Sequence, residues 1–432
     1  MTRTAALALL VLCALSAACA AAEPDGLIPS PEAGWPQWKG PRRDGASDET
    51  GLLQSWPEGG PPRVWTASGL GRGWSSPIIV GDAIYLSGDF DGECRVISLA
   101  RDGKPRWQTP NGAPWTRNYP GARAACTFSE GRVYHMNGHG RVACYDAATG
   151  REAWAVDTAE RFGGPALTWG HAEGLLVDGP RVIVTPGGPK TFMAALDKTT
   201  GATVWTSPPL PGDASRENSC SYASPILVRW GGRRLIITGS LQGAVCVDAD
   251  SGRLQWTFPK RTKYDAACAT PAWWAGGVFY TVPSGSGAAF LRLVPPAGPD
   301  APVGFEKAWE HPVDNISGGA VAVGGRIYCA GQQNSGWVAL DAADGRELYN
   351  TKDLEQGCVL YADARLYCLG ERGHMRLVKA GPAFEVAGAF DLTDGKKPDA
   401  WTHPVILDGR LYLRYHENLY CHDVSAPKGD AR

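Results

Sequence analysis

Several signatures are missing from this chain, and each absence removes a class of function. No two of its 12 cysteines are adjacent, no pair makes Cys-x-x-Cys, and Cys-x-x-Cys-His does not occur, so attached haem and a cysteine-rich metal site lack support. The 42 basic and 44 acidic residues leave a net charge of −2 with no Lys/Arg run to follow a phosphate backbone, which argues against nucleic-acid binding. Gly285, Gly287 and the other glycine-rich turns do not stand between a strand and a helix, and Gly-x-Ser-x-Gly is absent; neither a phosphate loop nor a hydrolase elbow follows. Beyond the first 22 residues no apolar run is long enough to span a bilayer.

Those first residues have the form of an export signal: Arg3 as a thin basic region, an apolar run from Ala5 to Leu15, and small residues up to Ala22. Cleavage after Ala22 would use Ala20 and Ala22. The alternative is lipidation at Cys19, which would give a peripheral, lipid-anchored association, although Ser16 stands where such signals usually carry Leu. Either route predicts a periplasmic or extracellular protein. Setting aside Cys13 and Cys19 leaves ten cysteines in an exported chain, which invites a disulfide framework. Their placement opposes it. Cys144, Cys246 and Cys421 each lie two residues before an Asp of a repeating phrase, and equivalent positions of a repeat sit too far apart to be bridged.

That phrase organises the chain. Asp146, Thr149, Gly150 and Trp154 recur as Asp197, Thr200, Gly201, Trp205, as Asp248, Ser251, Gly252, Trp256, and as Asp341, Asp344, Gly345, Tyr349, with the aromatic always four residues after the Gly. Asp102, Gly103 and Trp107 form a weaker copy. Asp and Thr side chains bond the backbone of a tight turn, Gly takes its positive φ, and the aromatic anchors the following strand. Upstream of each turn come a small residue with Pro, an apolar run, a Gly turn and an aromatic strand, as from Ser76 and Pro77 to Tyr85. A period of roughly 40 to 50 residues with four short strands per unit is the mark of propeller blades.

The sequence therefore predicts an all-β, eight-bladed propeller, with inner strands beginning near Ser76, Cys126, Glu173, Ser224, Thr270, Gly319, Gly357 and His403. The eighth repeat ends at Asp423 without its aromatic strand, and Val64 with Trp65 can supply it and close the ring. Blade five carries a Pro-rich insertion from Pro295 to Val303, and blade seven ends in Phe384 instead of Trp; seven blades is the alternative if one of these pairs differently. The expected divisions are a signal peptide over 1–22, an extended N-terminal segment packed across one face over 23–63, the propeller over 64–424 and a frayed tail over 425–432.

Loops leading into inner strands converge on one mouth of a propeller's central channel. The candidates there are Arg72 and Trp74, Tyr119 and Arg123, Trp169, His171 and Glu173, Asn218 and Tyr222, Asn315, Gln356, and Trp401 with His403. A rim this rich in Arg, Trp and amides suits a small flat molecule, a sugar or a peptide segment. His171 and Glu173, two residues apart on an alternating strand, could form an acid/base pair. The plainer readings are that the tryptophans cap the core and that His171, Glu173 and His403 bond structurally. Trp107, Trp154, Trp205, Trp256 and Trp309 are expected to pack between blades.

The turn phrase resembles the tryptophan-docking repeat of the pyrroloquinoline quinone (PQQ)-like propellers, which include quinoprotein dehydrogenases and the propeller lipoprotein of outer-membrane barrel assembly. The chain is most similar to an exported bacterial branch in Trp35 to Gly45, in Trp169, Gly170 and Glu173, in Val184 to Gly188, in Tyr367 to Glu371 and in Trp401 to Val405. The resemblance runs from Trp35 to Val424 and implies fold more than activity. The dehydrogenases would clamp PQQ between a Trp floor and two adjacent cysteines, with Ca²⁺ beside a catalytic Asp. Here the adjacent cysteines and the calcium motif are absent, and Asp314 to Ser317 stand where related proteins carry a His pair. The expectation is an exported, non-catalytic binding or scaffold protein without an assigned cofactor. The alternatives are a PQQ-dependent dehydrogenase of alcohols or sugars and an outer-membrane assembly scaffold.

Overall fold

A computed structural model describes residues 24–164, 167–211, 220, 222–262, 264, 266–392 and 399–427. The export signal and Asn218 lie outside the described residues. Eight antiparallel sheets follow one another along the chain, and a single short helix, Thr158–Phe162, is present among the described residues. Inner strands run over Ile78–Val80, Thr127–Ser129, Leu176–Asp178, Ile226–Trp230, Ala272–Trp274, Val321–Val323, Gly357–Ala362 and Val405–Leu407. Blades five and seven each have all four strands. The architecture is an eight-bladed β-propeller.

The ring closes as the truncated last repeat requires. Arg63–Ala67 pairs antiparallel with Asn418–Asp423, placing Trp65 opposite Cys421, so no blade is left with a missing outer strand. Ser425, expected in the frayed tail, instead bridges to Leu52, and Ala426 donates to Gly51 O.

The repeated phrase forms the turn its residues dictate. Asp146 Oδ1 accepts from Thr149 N and Oγ1 at 2.9 and 2.7 Å, and Gly150, at φ 72°, donates to Asp146 O. Asp197 and Asp248 repeat the pattern. One residue before each docking position every outer strand bulges, and the added twist turns the aromatic toward the next blade. Trp154 thus lies over Gly201 and donates its indole N–H to Lys198 O at 3.1 Å; Trp205 does the same to Gly252 and Ala249 O. Trp65 covers Gly103 of blade one, so the same joint seals the ring. We expect Trp154→Phe to cost about 1 kcal/mol for the lost bond. Gly201→Ala should cost more, because its Cβ would meet the Trp154 ring at 2.7 Å from a backbone at φ 71°. Chemical denaturation measures both.

Blade seven departs from the expectation in detail. Its docking position is Gly388, not Phe384, and the indole that belongs there is that of Trp56 in the N-terminal segment: the Trp56 backbone N–H donates to Ala387 O, and its ring packs on Tyr367 and Phe390. A glycine leaves the gap that a tryptophan remote in sequence fills. Phe384 meets Tyr349 of blade six. The Pro-rich insertion of blade five docks on blade four, where Gln255 Oε1 accepts from Val303 N and Arg253 donates to Asp300 O.

None of the ten described cysteines is paired, and nine are buried. They act as small apolar side chains: burial pushes the Cys268, Cys329 and Cys358 thiols up to about 12, so they stay protonated.

Candidate functional site: a filled channel under an aromatic mouth

The N-terminal segment does more than cross one face; it fills the channel. Its backbone enters from the end opposite the mouth. Gly26–Leu27 pairs with Ile226–Trp230, Trp35 bridges to Ile79, Ala46 bridges to Tyr361, and Glu49 accepts from Asp408 and Gly409 in the turn of blade eight. From there side chains reach toward the mouth. Trp38 donates to Thr270 Oγ1 at 2.9 Å and its ring meets His403 at 4.5 Å. Lys39 Nζ donates to Ala320 O at 2.8 Å. Arg43 donates to Pro225 O, Leu175 O, Gly174 O and Gln37 Oε1. With Pro36 O accepting from Phe128 N, this one segment touches the inner strands, or the residues leading into them, of all eight blades.

The placement is constrained enough to hold Lys39 and Arg43 at φ 58° and 57°, a region that costs non-glycine residues roughly 1 kcal/mol or more. Both are nearly inaccessible to solvent. Burial lowers the Lys39 ammonium to about 8, against the pull of Asp44, and lowers the Arg43 guanidinium, against that of Glu173. Carbonyl oxygens at the edges of the blades supply the negative ends that these cations need.

The predicted mouth residues fall into two sets. Glu173, His171, His403 and Asn315 lie below the mouth and are structural. Both Glu173 oxygens accept from Thr185, at 3.0 Å each, and burial raises the carboxyl to about 7. His171 packs over Gly140, donating its backbone N–H to Gly138 O, and burial lowers its ring to about 4. The expected His171–Glu173 pair is not made, because 171–175 is irregular backbone ahead of the inner strand and the alternation of a strand does not apply. His403 faces Ser317 O at 3.0 Å and is lowered to about 3 by burial. Asn315 spans Ala330 O and Gly319 N. Tyr222 is buried, with its hydroxyl 3.4 Å from Trp169 N, and Gln356 donates to Glu371 at 2.8 Å on the far side of the mouth.

The other set is brought together. Gly73 and Ala122 bridge the loops of blades one and two, which puts Arg72 and Trp74 beside Tyr119 and Arg123. The Tyr119 ring lies 5.1 Å from Trp401 of blade eight and 5.8 Å from Trp169 of blade three, and Trp401 lies 5.0 Å from Trp74. Loop 113–123 therefore reaches across the mouth with Tyr119 at its tip, 53% exposed. Arg123 holds it there, its guanidinium over Trp74 and Trp115 and donating to the carbonyls of Asn118, Tyr119 and Gly121. Sequence reading missed Trp115, Arg117 and the His416–Asp399 contact at 2.9 Å under Trp74. It also missed the depth to which Trp38, Lys39 and Arg43 reach. The aromatic, aperiodic stretch Trp35–Gly45 was the available signal.

A quinone and Ca²⁺, which the family resemblance implies, do not fit this channel. At the level of the upper inner strands its axis holds Trp38. A Cβ added at Gly174 would lie 2.8 Å from Trp38 Cβ, and one at Gly318 would lie 2.2 Å from His403 Nε2 and 3.1 Å from the Trp38 ring. The nearest carboxylates are committed: Glu173 to Thr185, and Asp314 to the backbone N–H groups of Gly285, Gln332, Gln333 and Asn334.

Eight blades joined by docked tryptophans, closed by the chain's own early strand, define the class. Residues 91–266 match a family described as outer membrane protein assembly factor BamB. The chain is 30% identical over 166 residues to a quinohemoprotein alcohol dehydrogenase of Pseudomonas putida, covering 33% of this chain and 22% of that protein. It is 28% identical over 145 residues to the assembly factor BamB of Alkalilimnicola ehrlichii, covering 33% of this chain and 34% of that one. Each match thus spans only a fifth to a third of the relative. Among solved structures, BamB from Moraxella catarrhalis superposes with a TM-score of 0.57 at 15% identity over 86% of this chain and 98% of its own. The Pseudomonas putida dehydrogenase gives 0.61 at 13% over 91% and 80%; at such identities the likeness is one of fold. The chain is an eight-bladed β-propeller, and its residues 91–266 are similar to the PQQ-like propellers.

Proposed function

We propose that this is an exported, non-catalytic binding propeller whose ligand or partner segment docks on the mouth formed by Arg72, Trp74, Tyr119, Arg123, Trp169 and Trp401. The carrying observation is the filled channel: Trp38, Lys39 and Arg43 occupy the axis, which leaves the aromatic and guanidinium groups of the mouth as its solvent-facing surface. Half-buried indoles, an exposed tyrosine and guanidiniums bind by area and orientation and need no reactive group. In this reading residues 1–22 direct export, or Cys19 anchors the chain to a membrane. Titration of intrinsic tryptophan fluorescence with the material that co-purifies from the native host tests the proposal. A saturable change that Tyr119→Ala abolishes supports it, and an unchanged response removes the mouth as the site. The matched BamB segment favours a second reading, a scaffold holding a protein partner, for which a stable complex isolated through this chain is the expected result.

A further inference from the structure

We propose that the mouth recognises an acidic glycan, a chain of sugar rings carrying carboxylates, an inference that rests on the mouth being the binding site. Two observations carry it. The first is the platform. Tyr119 presents an exposed ring against half-buried Trp401 and Trp169, contributed by three separate parts of the propeller. The face of an aromatic ring is electronegative and stacks against the C–H face of a sugar, whereas a deep apolar pocket would be needed to envelop a small drug-like molecule.

The second is charge. Arg72 and Arg117 are exposed beside this platform, and neither side chain makes a hydrogen bond or ion pair among the described residues; Arg117 only lies over Trp115 at 4.5 Å. Arg123 spends its donors on carbonyls of its own loop. Two described carboxylates at this corner turn inward, Asp89 accepting from Trp115 N at 2.9 Å and Asp399 lying against His416. Arg106, by contrast, is paired with Asp82 and Arg141 with Glu152. Two solvent-facing planar forks left open next to an aromatic surface match carboxylates held at intervals along a ring-built polymer. The same cations disfavour a quaternary ammonium ligand, which an aromatic surface would otherwise accept.

Isothermal titration of the full-length protein with three probes tests this: a galacturonic-acid oligosaccharide, a neutral cello-oligosaccharide of the same length, and a glutamate-rich peptide. The expected result is binding of the galacturonate that weakens with added salt, falls about tenfold in Tyr119→Ala and about tenfold in the Arg72→Gln, Arg117→Gln pair. These residues are exposed, so circular dichroism should be unchanged and the loss attributable to contact. Cello-oligosaccharide binding as tightly, or the peptide binding more tightly with the same residue dependence, overturns the acidic-glycan assignment and leaves the mouth as a site. Binding of none of the three, or binding indifferent to both variants, overturns the glycan assignment; an unchanged Tyr119→Ala response to co-purified material then separately removes the mouth.

Discussion

Arg43→Ala is expected to destabilise the propeller by about 3–5 kcal/mol, the largest loss of any single substitution outside the blades' own cores. Its guanidinium serves three carbonyls of blades three and four and the Gln37 amide at once. Removing it leaves Gly174 O, Pro225 O and the Gln37 amide oxygen without this donor, at roughly 1–3 kcal/mol each, while Leu175 O keeps the Thr127 hydroxyl; the loss is offset in part by the cost of burying the cation. Arg43→Lys should recover little, because an ammonium has three donors on a point and cannot span the planar spread of acceptors. Urea denaturation of both variants measures the difference. If Arg43→Ala unfolds within about 1 kcal/mol of the parent, the segment is an ornament on a self-sufficient ring. The unfolding slope of the parent separates the cases further: a segment integral to the ring melts with it in one transition.

The second large effect is with pH. His135, His171 and His403 are buried and neutral, lowered by burial to about 3, 4 and 3. Unfolded, each takes a proton near its ordinary value of about 6.5. Between those values the unfolded chain binds more protons, so stability is complete above about pH 6.5 and lost as pH falls toward 3, by about 1.4 kcal/mol per pH unit for each histidine. Glu173 runs the other way: raised to about 7, it favours the folded state most below its ordinary value of about 4.5 and gives that up as pH rises to 7. Three histidines against one carboxyl leave a net fall on acidification. The melting midpoint should therefore drop steeply from pH 6.5 to 4, and His403→Gln, whose amide can still donate to Ser317 O, should reduce the proton uptake on unfolding by about one. A profile flat over that range, or unaltered in the variant, contradicts the buried neutral state.

How much of this was legible beforehand follows from which interactions are local. The Asp-to-Gly turns, the docked Trp154 and Trp205, the closing strand at Trp65 and the unpaired cysteines were readable, since each depends on spacing within one repeat and on the repeat recurring. Whether His171 and Glu173 face one another was not legible, because strand alternation does not extend into the loop that carries them. Gly388 concealed its partner for a different reason: a missing side chain carries no record of which distant indole, here Trp56, will occupy the space. Of the mouth residues, those on loops that cross the axis came together, while Asn315 and His403 were drawn into backbone hydrogen bonds that no local pattern announces.

The amino-acid sequence by itself determined the number of blades, their joints other than the one Trp56 fills at Gly388, and the closure of the ring, because turns, bulges and docked aromatics are contacts between neighbours whose order the chain imposes. Only the tertiary structure decided that Trp38, Lys39 and Arg43 lie on the axis and that Tyr119 meets Trp169 and Trp401 across the mouth. Those contacts exist only once eight inner strands are held around a common centre, where carbonyls from blades far apart in the chain converge on the same buried cations.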